Sequence, residues 1–222
     1  MRLPRSFTLL LVLAVPLVAF GCGDSGSESA TTPTTATPTE TASSGPELGP
    51  PFGSMDALPG VLKTAPPWPK NDEKLQQRLR AMGLPALTEE GQALHIHQHL
   101  DVFVDGEQVA VPDDIGVGAS FISPLHTHVQ GDGVLHVESP TVENFSLGQF
   151  FGVWGVRLDA KCIGGECAGD GKQLRAWVDG EPVAGDPTRI VLAEQQEIVI
   201  AYGTADQMPE PVPSNYDFPE GL

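Results

Sequence analysis

The sequence predicts a mainly β domain of the α+β class, rich in hairpins and containing two short helices. Apolar and polar residues alternate over 94–104 and again over 174–178, which is the pattern of half-buried strands. Both segments are followed by an Asp-Gly dipeptide, at 105–106 and 179–180, and this dipeptide favours two-residue hairpin turns. A last strand is predicted at 197–202. These hairpins fit a β-grasp-like arrangement, a small sandwich or a small barrel.

Two stretches carry the three-and-four spacing of apolar residues that indicates amphipathic helices. The first lies between Asn71, a candidate N-cap, and Gly83, which favours a helix C-terminus. The second follows Ser146, which can form a capping box with Gln149. The aromatic residues at helical spacing in this second stretch are more typical of a core-facing side than of a ligand site. We therefore predict two helices that serve packing.

The first 60 residues differ in composition from the rest of the chain. Residues 1–21 combine two arginines with an apolar run too short to span a membrane, which is the pattern of a signal peptide. Residues 22–60 are rich in Ser, Thr, Pro and Gly, and such a composition buries too little apolar surface to fold. We therefore predict a disordered tether there and a single globular His-rich β domain at 61–222. Its Pro-rich tail from residue 208 is expected to lie on the surface.

The three cysteines fit an exported chain. Residues 19–21, Ala-Phe-Gly, precede Cys22 and resemble a bacterial lipobox, which implies a lipid on Cys22 and an anchor on the outer face of the cell membrane. An ordinary secretory signal is the alternative. Cys162 and Cys167 then remain as a pair. We predict that they form a disulfide closing a surface loop, rather than a redox or metal-binding dithiol, because the chain is exported and the C-x-x-C spacing is absent.

The charge of the chain limits its partners. The formal net charge is −17 at pH 7, which argues against binding nucleic acid or anionic lipid through charge. We therefore predict membrane contact through the lipid anchor only. An acidic chain is compatible with attracting metal cations, and no protein partner is indicated.

The histidines are concentrated in one part of the chain. All six lie between positions 95 and 136. His95, His97 and His99 alternate along the first predicted strand and therefore share one face with Asp101. Asp101 is a candidate for orienting one of these imidazoles by a hydrogen bond.

The other three histidines flank a glycine-containing loop. His126 and His128 precede it, and His136 and Glu138 follow it. A three-residue hairpin loop at 131–133 would place His128 opposite His136 and His126 opposite Glu138. All four side chains would then lie on one face of the hairpin.

Clustered imidazoles with one carboxylate are typical ligands of zinc and copper(II). We therefore predict a divalent metal ion (Zn or Cu) bound by His126, His128, His136, His95, His97, His99 and Glu138. The first three histidines along the chain either complete one site or form a separate, weaker one. The predicted role is metal capture or handover at the cell surface, and no catalytic residue is assigned. Two alternatives are a metal-dependent enzyme that uses the same histidines and an envelope interaction module whose histidines are structural or sense pH.

One further pattern extends over most of the chain from about residue 75. The motifs are HIHQHL at 95–100, then VDG, PLHTH, VLHVES and LGQFFGVWG. This succession resembles a family of exported, His-rich proteins from bacteria and archaea for which no activity is known. The resemblance implies export and a common fold, and it assigns no function.

Overall fold

The structure is a computed structural model that describes residues 45–128 and 132–222. The predicted signal peptide at 1–21, the lipidation site Cys22 and the first part of the tether lie outside the described residues. Within the described ranges, no helix has the length and apolar composition that crossing a bilayer requires.

Residues 45–60 belong to the folded part, although their composition predicts a tether. Leu48 forms an isolated β-bridge with Ile190, and Met55, at the start of a 3-10 turn, is only 4% exposed. Phe52 also packs against the hydrophobic core. These few apolar residues attach the segment to the domain, so the folded part begins before the predicted boundary at residue 61.

Nine strands and two α-helices make up the described fold. In chain order they are α1 (Leu75–Met82), β1 (Leu94–Val104), β2 (Glu107–Val109), β3 (Leu125–His126), β4 (Val134–Ser139), α2 (Leu147–Trp154), β5 (Cys162–Ile163), β6 (Glu166–Cys167), β7 (Gln173–Val178), β8 (Glu181–Pro182) and β9 (Gln196–Gly203). There are also three short 3-10 turns: Met55–Ala57 before α1, Pro187–Arg189 between β8 and β9, and Ala205–Gln207 after β9.

Seven strands form one mixed sheet in the order β3–β4–β1–β9–β7–β8, with β2 also paired to β1. Strands β5 and β6 form a separate two-stranded ribbon. The two end strands, β3 and β8, are not paired with each other, so the described sheet does not close into a barrel. The mainly β class with two short α-helices is confirmed, and the architecture is consistent with a small sandwich.

Strand β1 is central to the sheet. It pairs antiparallel with β4 and parallel with β9. Its bounds agree with the predicted strand at 94–104, and β9 contains the predicted last strand at 197–202. The strand that carries the first three histidines therefore has neighbours on both sides.

Both Asp-Gly dipeptides form hairpin turns. Asp105 and Gly106 have φ of 53° and 86°, and Asp179 and Gly180 have φ of 52° and 80°. Two successive positive φ values define the turn that matches the twist of a two-residue hairpin. The predicted β1–β2 and β7–β8 hairpins are therefore correct.

The two helices occur where the spacing predicts them. Helix α2 begins with the predicted capping box, in which Ser146 Oγ accepts from the Gln149 backbone N–H at 3.3 Å. Helix α1 has Gly83 as its C-cap, as predicted, but its N-cap is Lys74 rather than Asn71. The Asn71 side chain instead donates to the carbonyls of Gly60 and Gly155. The prediction of Asn71 as the N-cap is therefore wrong, because its side chain is used to join distant loops.

The two faces of the sheet are covered differently. On one face, Leu100 and Ile198 belong to the main hydrophobic core together with Phe150 and Trp154 of α2. On the other face, Trp177, Val199 and Ala201 form a smaller cluster that is covered by Met208 and Val212 of the C-terminal tail. The histidines of β1 lie on this second face, because they share the parity of Phe103, which packs against the same cluster.

Candidate metal centre

The sheet brings the two groups of histidines together. Strand β1 pairs with β4 so that His97 lies opposite His136 and His95 opposite Glu138. Strand β3 pairs with the other side of β4 and places His126 opposite His136. Side chains opposite one another in neighbouring strands project from the same face. The histidine-bearing strands therefore form a continuous three-strand surface.

The pairing of β3 with β4 differs from the predicted register. His126, rather than His128, lies opposite His136, and the connection covers 127–133 instead of three residues. Strand β3 ends because Thr127 leaves the ladder: its backbone N–H donates to Ile115 O and its hydroxyl to Pro112 O. The shift is two residues, so each side chain stays on its predicted face. Residues 129–131 of the connection lie outside the described residues.

Glu138 is at the centre of the imidazoles. Its Oε1 lies 3.2 Å from His95 Nε2 and 3.2 Å from His136 Nδ1. The same oxygen lies 3.9 Å from His126 Nε2 and 4.0 Å from His128 Nε2. The carboxyl group therefore faces four imidazoles from a position that is only 3% exposed.

His97 completes a group that we call the Glu138 cluster. Its Nε2 lies 3.1 Å from His95 Nε2, and its ring centroid is 4.6 Å from that of His136. The potential ligand atoms form two overlapping sets, and within each set all atoms lie within 4.8 Å of one another. The Glu138 cluster consists of His95, His97, His126, His128, His136 and Glu138. These residues, of which His95 is exposed, His128 is half-buried and the others are buried, could hold a metal ion.

Burial keeps two of the imidazoles neutral. Desolvation, with smaller contributions from the nearby His136 and His95, lowers the pKa of His97 to about 4. Desolvation also lowers the pKa of His126 to about 4, although the charge of Glu138 opposes this effect. A neutral imidazole has a free lone pair, so both side chains are ready to bind a metal at neutral pH without losing a proton.

Glu138 is ionised despite its burial. Desolvation alone would raise the pKa of its carboxyl group, but the hydrogen bond from His136 and the positive charges that His126 and His95 carry when protonated lower it to about 2. Its Oε2 is buried and has no hydrogen-bond partner among the described residues, and the same is true of His97 Nδ1. The cluster therefore contains a buried anion and polar atoms whose bonding capacity is not used.

A backbone carbonyl orients one of the ligands. His126 Nδ1 lies 3.0 Å from Ser123 O, and a carbonyl can only accept, so Nδ1 carries the hydrogen. Nε2 is then left with its lone pair directed toward Glu138 and His128. Sequence reasoning missed Ser123, because no local pattern marks a backbone carbonyl that orients a candidate metal ligand.

A second carboxylate lies at the exposed side of the cluster. Glu90 Oε1 is 3.7 Å from His128 Nε2, and both side chains are about 40% exposed, at 43% and 39%. Glu90 lies in the loop before β1, and its proximity to His128 is what connects it with the cluster. The His95 side chain is 46% exposed, so solvent reaches the cluster at His95 and His128 while His97, His126 and His136 are buried.

His99 does not join the Glu138 cluster. Its Nδ1 lies 2.7 Å from Glu197 Oε2 of β9, and its ring stacks on Tyr216 at 3.9 Å. Burial lowers the pKa of His99, but the hydrogen bond and charge of Glu197 outweigh that effect and raise it. Asp101 accepts a hydrogen bond from Gln108, so Glu197 takes the orienting role predicted for Asp101. A separate small group of titratable residues consists of His99, Asp101 and Glu197.

The remaining cysteines are joined. Cys162 and Cys167 form a disulfide with an S–S distance of 2.15 Å, as predicted, and they pair across the β5–β6 ribbon. They offer no thiolate to a metal ion. A disulfide of this kind is typical of an oxidising, exported compartment.

Comparison with known proteins leaves the site to be interpreted from its own chemistry. No protein-family model matches this chain, and neither a curated protein nor a solved structure shows significant similarity to it.

Proposed function

We propose that this protein binds a divalent transition metal ion, zinc or copper(II), through the Glu138 cluster. The observation that carries the proposal is the convergence of imidazole and carboxylate ligand atoms within 4.8 Å of one another. Ligand atoms around zinc lie about 2.0–2.2 Å from the ion, so small side-chain adjustments would close such a set around it. A bound cation would also offset the cost of burying the Glu138 carboxylate.

The ligand chemistry supports zinc or copper(II) over other metals. Calcium and magnesium prefer oxygen ligands, whereas imidazole nitrogens dominate here. Copper(I) favours thiolate and thioether ligands, and Cys162 and Cys167 are held in a disulfide. Nitrogen-rich sites bind copper(II) more tightly than zinc in the usual order of divalent ions. Which of the two ions occupies the site would therefore depend on how much of each is available.

We propose metal capture or handover at the cell surface as the role. Two ligands, His95 and His128, are partly exposed, which supports exchange of an ion with a donor or acceptor. Export is supported by the disulfide. Lipidation of Cys22 and the tether after it would place the domain outside the membrane. We also propose that the chain belongs to the exported, His-rich family that its motifs resemble.

The test is the metal content and affinity of the purified full-length protein. Elemental analysis comes first, followed by calorimetric titration with zinc and copper(II) after stripping with a chelator. We expect near-stoichiometric metal and at least tenfold weaker binding in His136→Ala, because removing one ligand leaves an incomplete set. His99→Ala is the matched control, since it removes an imidazole from the same strand system but outside the cluster. Binding of neither ion at micromolar affinity would refute the proposal.

A metal-dependent enzyme is the second candidate, and one observation favours it. The exposed side of the cluster, at His95 and His128, leaves room for a metal-bound water, which catalytic zinc sites require. Against it, a cavity of about 420 Å³ lined by residues such as Phe52, Met82 and Gln149 includes none of the cluster. Hydrolysis of an activated ester by the zinc-loaded protein, absent after stripping and in His136→Ala, would support the enzyme. An interaction module with pH-sensing histidines would bind no metal at all.

A further inference from the structure

The Glu138 cluster contains more ligands than one ion needs. Zinc is usually held by four ligands, whereas five imidazoles and a carboxylate converge here. No single set of mutually close ligand atoms among the described residues contains all six. Instead there are two sets: one has His95 and His97, the other has His126 and His128, and both include His136 and Glu138.

We propose that the Glu138 cluster binds two divalent metal ions that are bridged by the Glu138 carboxylate. His95 and His97 would hold one ion, and His126 and His128 the other. His136 would complete the coordination of one of the two. This inference rests on the proposed function, because it specifies how many ions the same site takes and which residue joins them.

The strand order explains why the ligands divide into two pairs. Strand β4 lies between β1 and β3, and it carries both shared residues, His136 and Glu138. One pair of histidines comes from β1 on one side of β4. The other comes from the end of β3 and the residue two positions beyond it, on the opposite side. The shared residues therefore lie between the pairs.

Glu138 has the position of a bridging ligand. Its Oε1 is 3.2 Å from His95 Nε2 on one side and 3.9 Å from His126 Nε2 on the other. Its Oε2 is buried with no partner among the described residues, which is costly for an ionised group. Paired metal ions in proteins lie about 3.5–4 Å apart, and one carboxylate can span that distance by binding an ion with each oxygen.

Solvent access accounts for the remaining coordination positions. Two divalent ions carry more positive charge than one carboxylate neutralises, so water or hydroxide would complete the coordination of the ions. The two most exposed ligands, His95 and His128, belong to different pairs. Each proposed ion therefore has one ligand on the solvent side.

The test uses copper(II), because this ion reports both how many ions bind and how close they are to each other. The full-length protein is stripped with a chelator and titrated by calorimetry, and its electron paramagnetic resonance spectrum is recorded at each equivalent. We expect two ions per chain. The spectrum of isolated copper(II) should grow up to the first equivalent and fall toward the second, because two bridged ions couple their spins.

Variants of exposed ligands separate the two positions with little risk to folding. His95→Ala and His128→Ala should each retain one tightly bound ion and weaken the other at least tenfold, and each should abolish the spin coupling. Glu138→Gln keeps the side-chain shape and should also abolish the coupling. His99→Ala is the control and should retain both ions and their coupling. Circular dichroism checks that each variant is folded.

The outcomes distinguish this inference from the proposed function. Binding of no copper(II) overturns this inference, and failure to bind zinc as well overturns the proposed function. Binding of one ion supports the proposed function and overturns the bridged pair. Two ions without spin coupling also overturn it, and loss of one of them in His99→Ala would assign the second ion to the group formed with Asp101 and Glu197.

Discussion

His97 and His126 show how burial prepares a side chain for metal binding. Both are at most 4% exposed, and desolvation keeps them unprotonated at neutral pH by lowering their pKa to about 4. Exposed histidines would be partly protonated near their ordinary pKa, and an incoming metal ion would have to displace the proton. Under the proposed function, an incoming metal ion would therefore not have to displace a proton from either side chain.

The same low pKa values should make the metal-free protein sensitive to acid. Below pH 6.5 the unfolded chain binds protons at these two histidines, while the folded protein does so only near pH 4. Stability should therefore fall as the pH is lowered from 6.5 to 5, by roughly 2 kcal/mol for each histidine. Urea unfolding of the stripped protein at several pH values measures this loss.

A variant gives the control for this acid sensitivity. His97→Asn removes one of the two titrating groups and should reduce the loss between pH 6.5 and 5 by about half. His99 has a raised pKa, so its contribution is complete below pH 6.5 and leaves that interval unaffected. Stability that does not change across the interval would contradict the assignment of the two neutral histidines.

Among the elements, the two helices are joined by one buried side chain. Arg78 of α1 is 0% exposed, and its guanidinium donates to the carbonyls of Gly152 and Val153 at the end of α2, at 2.9 and 3.1 Å. It also donates to Asn71 O. The last carbonyls of a helix have no partner within the helix, so α1 supplies one. Burial lowers the pKa of Arg78 to about 10, which still leaves it charged.

Loss of this guanidinium should strongly lower the stability of the fold. Arg78→Leu should lower the free energy of unfolding by about 3 kcal/mol or more, because several buried carbonyls lose their charged donor. Arg80→Leu is the matched control: it lies on the same helix but is exposed, so its effect should stay within about 0.5 kcal/mol. Urea unfolding compares the two. Equal losses in both variants would show that Arg78 does not join the helices.

Elements with local signals were predictable, and those that depend on distant contacts were not. The bounds of β1, both Asp-Gly hairpins and the capping box of α2 follow from neighbouring residues. The register of β3 does not, because Thr127 pairs with Ile115 rather than with β4. The separation of His99 from the other histidines depends on Glu197 and Tyr216, which are remote in sequence. The candidate metal ligands were recognisable individually, but the two overlapping sets in which their atoms converge required the strand order.

For the whole molecule, the C-terminal tail determines how much of the histidine face is accessible. Met208 and Val212 cover the apolar cluster formed by Trp177, Val199 and Ala201. Further along, the tail stacks an aromatic ring over the last histidine of β1. Among the described residues, the imidazoles of this face that are partly open to solvent, His95 and His128, lie beyond the tail in the Glu138 cluster.

The disulfide should support the domain without taking part in metal binding. It closes a short loop between residues five apart in sequence, for which the loss of chain entropy in the unfolded state amounts to about 2 kcal/mol. The double variant Cys162→Ala/Cys167→Ala should lose about that much stability and retain its affinity for zinc and copper(II). Urea unfolding and calorimetry measure the two quantities. A fall in affinity without a change in stability would instead assign the sulfurs to the metal.

The parallel pairing of β1 with β9 has a consequence for the order in which the chain folds. All residues of the Glu138 cluster lie before position 139, whereas β9 starts at Gln196. The antiparallel strands that carry the candidate ligands can meet through shorter loops, while β9 must close a loop of about half the domain to reach β1. If the chain is exported from its N-terminus, as proposed, the strands that carry the candidate ligands would emerge before β9, and one edge of β1 would be unpaired until then. A metal ion captured at that stage would hold these strands in register until the last strand arrives.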